Sequence, residues 1–146
     1  MVRIAVAVLA VAVLAVALAL PATGADGVNA ASTYKVVTDG SSRTLEVGKK
    51  GKVVVDVVPL EKGIHVNREF PLKYKVEPSA GLKVDKLEWK RPDAVDPAAE
   101  NPRFEIPVTA VAKGSHQVSV QMRFAICSDA WCVPQTKAVT IPIEVK

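Results

Sequence analysis

The sequence predicts an all-β chain, an immunoglobulin-like antiparallel β-sandwich preceded by a signal peptide. Three observations predict it. After residue 33, apolar and polar residues alternate with period two, the spacing of strands that are wet on one face. Clusters of Gly, Pro, Asp and Ser break these runs at short intervals. No segment of that region sustains a helical period, so seven or eight short strands are expected.

The first thirty residues stand apart from this pattern. Arg3 precedes an unbroken apolar run from Ile4 to Leu20, followed by Pro21 and a patch of small residues. Charged start, apolar middle and small-residue cleavage region are the order of a secretory leader. Cleavage fits after Ala25 or after Ala30. The run is nearly long enough to cross a bilayer, so a retained N-terminal anchor is the alternative. No cysteine lies near residue 20, which argues against a lipid-anchored start. The expected organisation is a signal peptide at 1–25, a short linker at 26–33 and one domain at 34–146. Its destination is periplasmic or secreted.

The strands follow in order. In "KVVVDVV" Val53, Val55 and Val57 share one face, and Val54, Asp56 and Val58 the other. In "PLKYKVEP" Leu72, Tyr74 and Val76 alternate with Lys73, Lys75 and Glu77. "RFEIPVTAVA" sets Phe104, Ile106, Val108 and Ala110 against Arg103, Glu105, Pro107 and Thr109. "SHQVSVQMRFAIC" places Val118, Val120, Met122, Phe124 and Ile126 inward. "KAVTIPIEV" closes the set with Val139, Ile141, Ile143 and Val145.

Turns are expected at Thr38–Ser42, Glu61–Gly63, Pro78–Gly81 and Lys113–Ser115. Pro107 and Pro142 fall inside strand patterns, which places them at edges or bulges. "KRPDAVDPAAENP" breaks the alternation and reads as one long surface loop, either a plain connection or a lid or partner contact.

Composition narrows the chemistry. The net charge of +4 comes from lysines scattered along the strands, not from a block, which gives a nucleic-acid partner little footing. There is no G-x-S-x-G elbow, phosphate loop or paired-carboxylate arrangement. The two histidines, His65 and His116, and the two cysteines match no zinc spacing, so no metal and no cofactor are expected. His116 follows a turn and is expected to face solvent.

The remaining candidates are the cysteines themselves, Cys127 and Cys132, separated by four residues. Export puts them in an oxidising compartment, where a nearby pair forms a disulfide. Strict alternation sets Cys127 with Gln121, Arg123 and Ala125 on the outward face, hence near the surface. Closing so short a loop stabilises the fold by only about 2 kcal/mol in the chain-entropy view. Exposed, tight bridges are also the more easily reduced. Spacing alone leaves a redox-active pair and a structural staple both open.

The flanking residues add a resemblance. "CSDAWCVPQ", between an alternating strand and a final strand, resembles the disulfide-bond corrector family, typified by the N-terminal periplasmic domain of DsbD-type thiol:disulfide interchange proteins. Cys127, Asp129, Cys132 and Pro134 fit the pattern C-x-D-x-x-C-x-P-P or its one-residue-longer form, and Gln135 stands in place of the second proline. "KGIHVNREFPLKYKV" is similar to the family's G-x-H-x-N segment, through Gly63, His65, Asn67, Phe70 and Pro71. The two segments span about a fifth of the chain beyond the leader.

The resemblance implies an immunoglobulin-like domain whose cysteine pair relays reducing equivalents outside the cytoplasm. A membrane thiol–disulfide transporter would reduce the pair, which would then reduce thioredoxin-fold proteins. The present sequence holds neither a multi-span membrane segment nor a thioredoxin-like one, so both partners are expected in trans. By analogy Cys132 contacts the partner and Cys127 resolves the mixed disulfide. Supporting roles fall to Asp129, a turn residue or tuner of thiol acidity, and to Trp131, a shield or partner contact beside Cys132. Pro134 and His65 complete the set, His65 as a thiol-polarising group or a side chain bonded to a neighbouring strand. The competing reading is an immunoglobulin-like interaction module with a purely structural disulfide.

Overall fold

A computed structural model describes residues 28–146. The expected signal peptide lies outside the described residues, as does the start of the linker. Ten strands follow one another: β1 (Tyr34–Val37), β2 (Thr44–Leu45), β3 (Lys50–Pro59), β4 (His65–Val66), β5 (Lys73–Pro78), β6 (Leu82–Lys83), β7 (Glu88–Lys90), β8 (Phe104–Ala110), β9 (Gly114–Cys127) and β10 (Cys132–Val145). Short 3-10 turns at Ala30–Ser32 and Arg91–Asp93 are the helical elements among the described residues.

The strands form two sheets packed as a sandwich. One has the order β1-β3-β8-β6, the other β2-β10-β9-β5-β7, with β4 also paired to β9. All pairings are antiparallel except that of β2 with β10. The core lies between the sheets and consists of the alternating residues expected to face inward. Val53, Val55, Phe104 and Ile106 come from one sheet, and Tyr74, Val120, Phe124, Ile126 and Ile141 from the other, all essentially without solvent exposure. Aromatic pairs bind the layers: Tyr34 meets Phe124 edge-on at 5.4 Å, and Tyr74 lies 4.5 Å from Phe104. The ordered fold begins ahead of β1, since Ala30 belongs to the core cluster and Thr33 is buried.

The count exceeds seven or eight because β2, β4, β6 and β7 are two or three residues long. Such strands are too brief to show alternation and exist through the ladders they join. Pro107 and Pro142 both lie where their strand is unpaired on one side. Pro142 pairs with Gln117 on one side, and β2 reaches β10 only at Glu144 and Val145. Pro107 pairs with Lys52, and β6 reaches β8 only at Thr109 and Ala110. A missing N–H therefore costs no ladder bond.

The long β9–β10 hairpin carries the cysteines at its tip and extends the last strand back to Cys132. One edge of β9 is shared by two strands: β4 pairs at Ile126 and Cys127, β5 from Arg123 to Val118. Between them the chain leaves the ladder at Asn67 and returns at Lys73. This excursion sits over the outer face of the sheet.

Candidate functional site

Cys127 and Cys132 are directly paired across the hairpin and joined by a disulfide, with Cα atoms 4.1 Å apart. Ser128 N–H donates to the Trp131 carbonyl at 2.8 Å, so the adjoining cysteine pair falls at the non-hydrogen-bonded position, where facing side chains approach most closely. The turn is tightened by Ala130 N–H, which donates to Ser128 Oγ at 3.1 Å.

The two sulfurs have unlike surroundings. Cys127 is 1% exposed, whereas Cys132 is open to solvent. This corrects the expectation that Cys127 lies near the surface. The alternation itself holds, and Cys127 stays on the outward face with Arg123 and Ala125. That face is covered at its end by the excursion from Asn67 to Pro71, which buries Ala125 as well. Between excursion and hairpin runs a shallow groove of ≈ 420 Å³, lined by Phe70, Pro71, Ala125, Cys132 and Pro134 among others. The Arg123 guanidinium lies 5.7 Å from the centre of the Phe70 ring.

Asn67 anchors this cover. Its Oδ1 accepts the backbone N–H groups of Glu69 at 2.8 Å and Phe70 at 2.6 Å, which turns the chain out of the ladder. Its own N–H still reaches the Ala125 carbonyl at 2.9 Å. With the oxygen committed to two donors, the amide nitrogen must face the bridge. Nδ2 lies 3.2 Å from Cys127 Sγ and 3.6 Å from Cys132 Sγ.

A second layer holds Asn67. The Arg91 guanidinium donates to the carbonyls of Val66 and Asn67, each at 3.2 Å, and to that of Ala99 at 3.0 Å. Burial, and after it the neighbouring Arg68 charge, lower the Arg91 pKa from its ordinary value. Val66 N–H donates to Asn101 Oδ1 at 3.2 Å, and Arg68 to the Ala98 carbonyl. The proline-rich loop is thus pinned along β4.

The other expected site residues spread around the bridge. His65 stands directly opposite Cys127 in the β4–β9 pairing, hence on the same face, with Nδ1 3.1 Å from the Gly63 carbonyl. Gly63 makes the turn into β4 with φ +84°, a conformation L side chains avoid. Pro134 is exposed on the groove rim, and Asp129 is exposed at the hairpin tip. Trp131 is half-buried and packs against the core edge. His116 lies far from this group and is not free in solvent as expected. Its ring is half-buried over Gly81, with Nε2 2.9 Å from the Ala112 carbonyl. Among the described residues, no group of three or more His, Cys, Asp or Glu side chains is arranged to hold a metal ion.

Asn67 is the functional candidate the sequence reading did not single out for a role. Its only signal was its place in the G-x-H-x-N segment, because the contact spans sixty residues of chain.

No family model matches the chain, and no curated protein does. The corrector-family resemblance therefore rests on the quoted motifs alone. Among solved structures, domains 4 and 5 of the S-layer protein SbsC are similar at 14% identity and a TM-score of 0.44, over 76% of this chain and 50% of that one. A segment of Escherichia coli alpha-2-macroglobulin, from domain MG7 to the C-terminus, gives 15% and 0.47 over 78% and 17%. A conjugative transposon lipoprotein from Bacteroides eggerthii gives 10% and 0.43 over 76% and 96%. The chain thus spans half or less of the first two. What stands is an immunoglobulin-like β-sandwich with one disulfide between paired cysteines.

Proposed function

We propose that this chain is an exported thiol–disulfide exchange module working through Cys127 and Cys132. The observation that carries this reading is the unequal burial of the two cysteines of one bridge. An incoming thiolate can approach the exposed Cys132 at the edge of the groove, while Cys127 is shielded and suited to act as the internal leaving and resolving group. The rim of Phe70, Pro71 and Pro134 offers an apolar contact for a partner. On the motif resemblance, that partner is a thioredoxin-fold protein on one side and a membrane thiol–disulfide transporter on the other. The disulfide itself accords with export, since such bridges persist in oxidising compartments.

The experiment is a trapping one. Cys127→Ser leaves the exposed Cys132 thiol without its resolving partner. Incubated with an oxidised thioredoxin-fold protein, it should accumulate a mixed disulfide visible on non-reducing gels. No adduct at any protein ratio, with the variant folded, would count against exchange.

A second reading keeps the sandwich as an interaction module with a structural bridge. The observation favouring it is the register: the disulfide joins directly paired residues at the end of a long ladder and so clamps the hairpin tip. The comparisons, which bring only fold-level likenesses and no redox relative, lend the exchange reading no support against it.

A further inference from the structure

We infer that the Asn67 side-chain amide is a catalytic group of the bridge, the hydrogen-bond donor that stabilises Cys127 as the leaving thiolate. This rests on the exchange reading and adds the residue that makes the chemistry feasible at a buried sulfur.

The exchange step poses a problem that the geometry answers. A donor dithiol, as its thiolate, attacks Cys132 Sγ. The Cys127–Cys132 bond breaks, a donor–Cys132 disulfide forms, and the electron pair leaves on Cys127 Sγ. The donor's second thiolate then attacks its own sulfur in that mixed disulfide and releases Cys132 as a thiolate. The donor ends oxidised by two electrons, the bridge ends reduced, and the two donor protons pass to the cysteines through solvent.

In the first step negative charge develops on Cys127, which at 1% exposure is poorly placed to be solvated. Burial of that kind disfavours the thiolate and makes it a poor leaving group. The Asn67 side-chain amide aims its N–H at that sulfur, with Nδ2 at 3.2 Å. Toward the neutral disulfide the contact is weak. Toward a thiolate it becomes a charge-assisted hydrogen bond in a shielded setting, stronger in the transition state than before it. The donor is pre-oriented because Glu69 and Phe70 N–H hold Oδ1, and Arg91 holds the Asn67 carbonyl.

Asn67→Asp tests this, because a carboxylate still accepts from Glu69 and Phe70 but presents an acceptor to the sulfur in place of the amide donor. Asn67→Ser serves as the second variant, keeping a turn-forming oxygen too short to reach the bridge. The readouts are the rate of bridge reduction by dithiothreitol and, in a Cys132→Ser background, the Cys127 thiol pKa from thiolate absorbance. The donor role predicts reduction slowed roughly tenfold or more, the scale of one hydrogen bond to a charged group, and a raised thiol pKa. If Asn67 only shapes the cover, loosening it exposes Cys127 and speeds reduction. An unchanged or faster rate in the variant that folds overturns the inference. The assay needs no protein partner, so failure of wild-type exchange with thioredoxin-fold proteins would sink the exchange reading separately.

Discussion

Cys127 and Cys132 stand directly opposite one another in the β9–β10 ladder, yet one sulfur is sealed beneath the Asn67–Pro71 excursion and the other opens to solvent. Directly paired residues share a face, so the difference arises from what lies over that face and not from the strand itself. The consequences can be measured one by one.

Accessibility of the two thiols should differ sharply. In Cys127→Ser the remaining Cys132 is exposed, and in Cys132→Ser the remaining Cys127 is covered. Iodoacetamide should label the first variant roughly tenfold or more faster, since alkylation follows access as well as thiolate fraction. Equal rates, followed by mass spectrometry, would mean that the cover is open in solution.

The bridge should matter modestly to stability. Cys127→Ala/Cys132→Ala should lower unfolding free energy by about 2 kcal/mol, the chain-entropy value for a loop this short, and leave a cooperative urea transition. By contrast Phe124→Ala, which empties a fully buried site against Tyr34, should cost about 3–5 kcal/mol. A double-alanine variant that does not fold would transfer the weight to the structural reading.

Gly81 is committed by a close approach. A Cβ there would stand 2.0 Å from the His116 ring, which the Ala112 carbonyl helps to hold. Gly81→Ala should destabilise by about 1–3 kcal/mol, as overpacking does. Adding His116→Ala should recover part of that loss, and a double-mutant cycle in urea measures the coupling.

Acid should weaken the fold in a salt-dependent way. Hydrogen bonds from Lys73, Lys86 and Lys52 lower the carboxyl pKa values of Glu88, Asp93 and Glu105 respectively. A carboxylate with a depressed folded value stabilises the native state above its unfolded pKa. That contribution is lost as pH falls through the folded value, below about pH 4. Melting temperature should therefore decline over that acid range, by less in high salt because these pairs are exposed. A decline already complete near neutral pH would point to other groups.

If a leader is removed, the cut after Ala25 is expected, leaving Asp26 as the first residue. Ala30 is 2% exposed within the core cluster, and its carbonyl accepts both Thr33 N–H and Thr33 Oγ1. Cutting after Ala30 would remove a packed residue, whereas cutting after Ala25 spares it. Edman sequencing of exported protein distinguishes the two.

The sandwich was legible because its long strands bury one face along most of their length. Val53, Phe104, Val120 and Ile141 all point where alternation puts them. The two- and three-residue strands were not legible, since pairing partners and not local pattern define them. At the site, alternation placed Cys127 on the correct face but could not foresee a cover contributed by a distant segment. Asn67 belongs to the G-x-H-x-N segment, and its contact with the sulfurs emerges only when β4 pairs with β9.

The most direct test of the exchange reading is the equilibrium reduction potential of the Cys127–Cys132 bridge, measured against glutathione or dithiothreitol buffers. An exchange centre should fall between about −120 and −270 mV, the span of thioredoxin-fold proteins, and come to equilibrium with them. A bridge more reducing than about −300 mV, inert toward such partners, would contradict the account and leave a structural clamp.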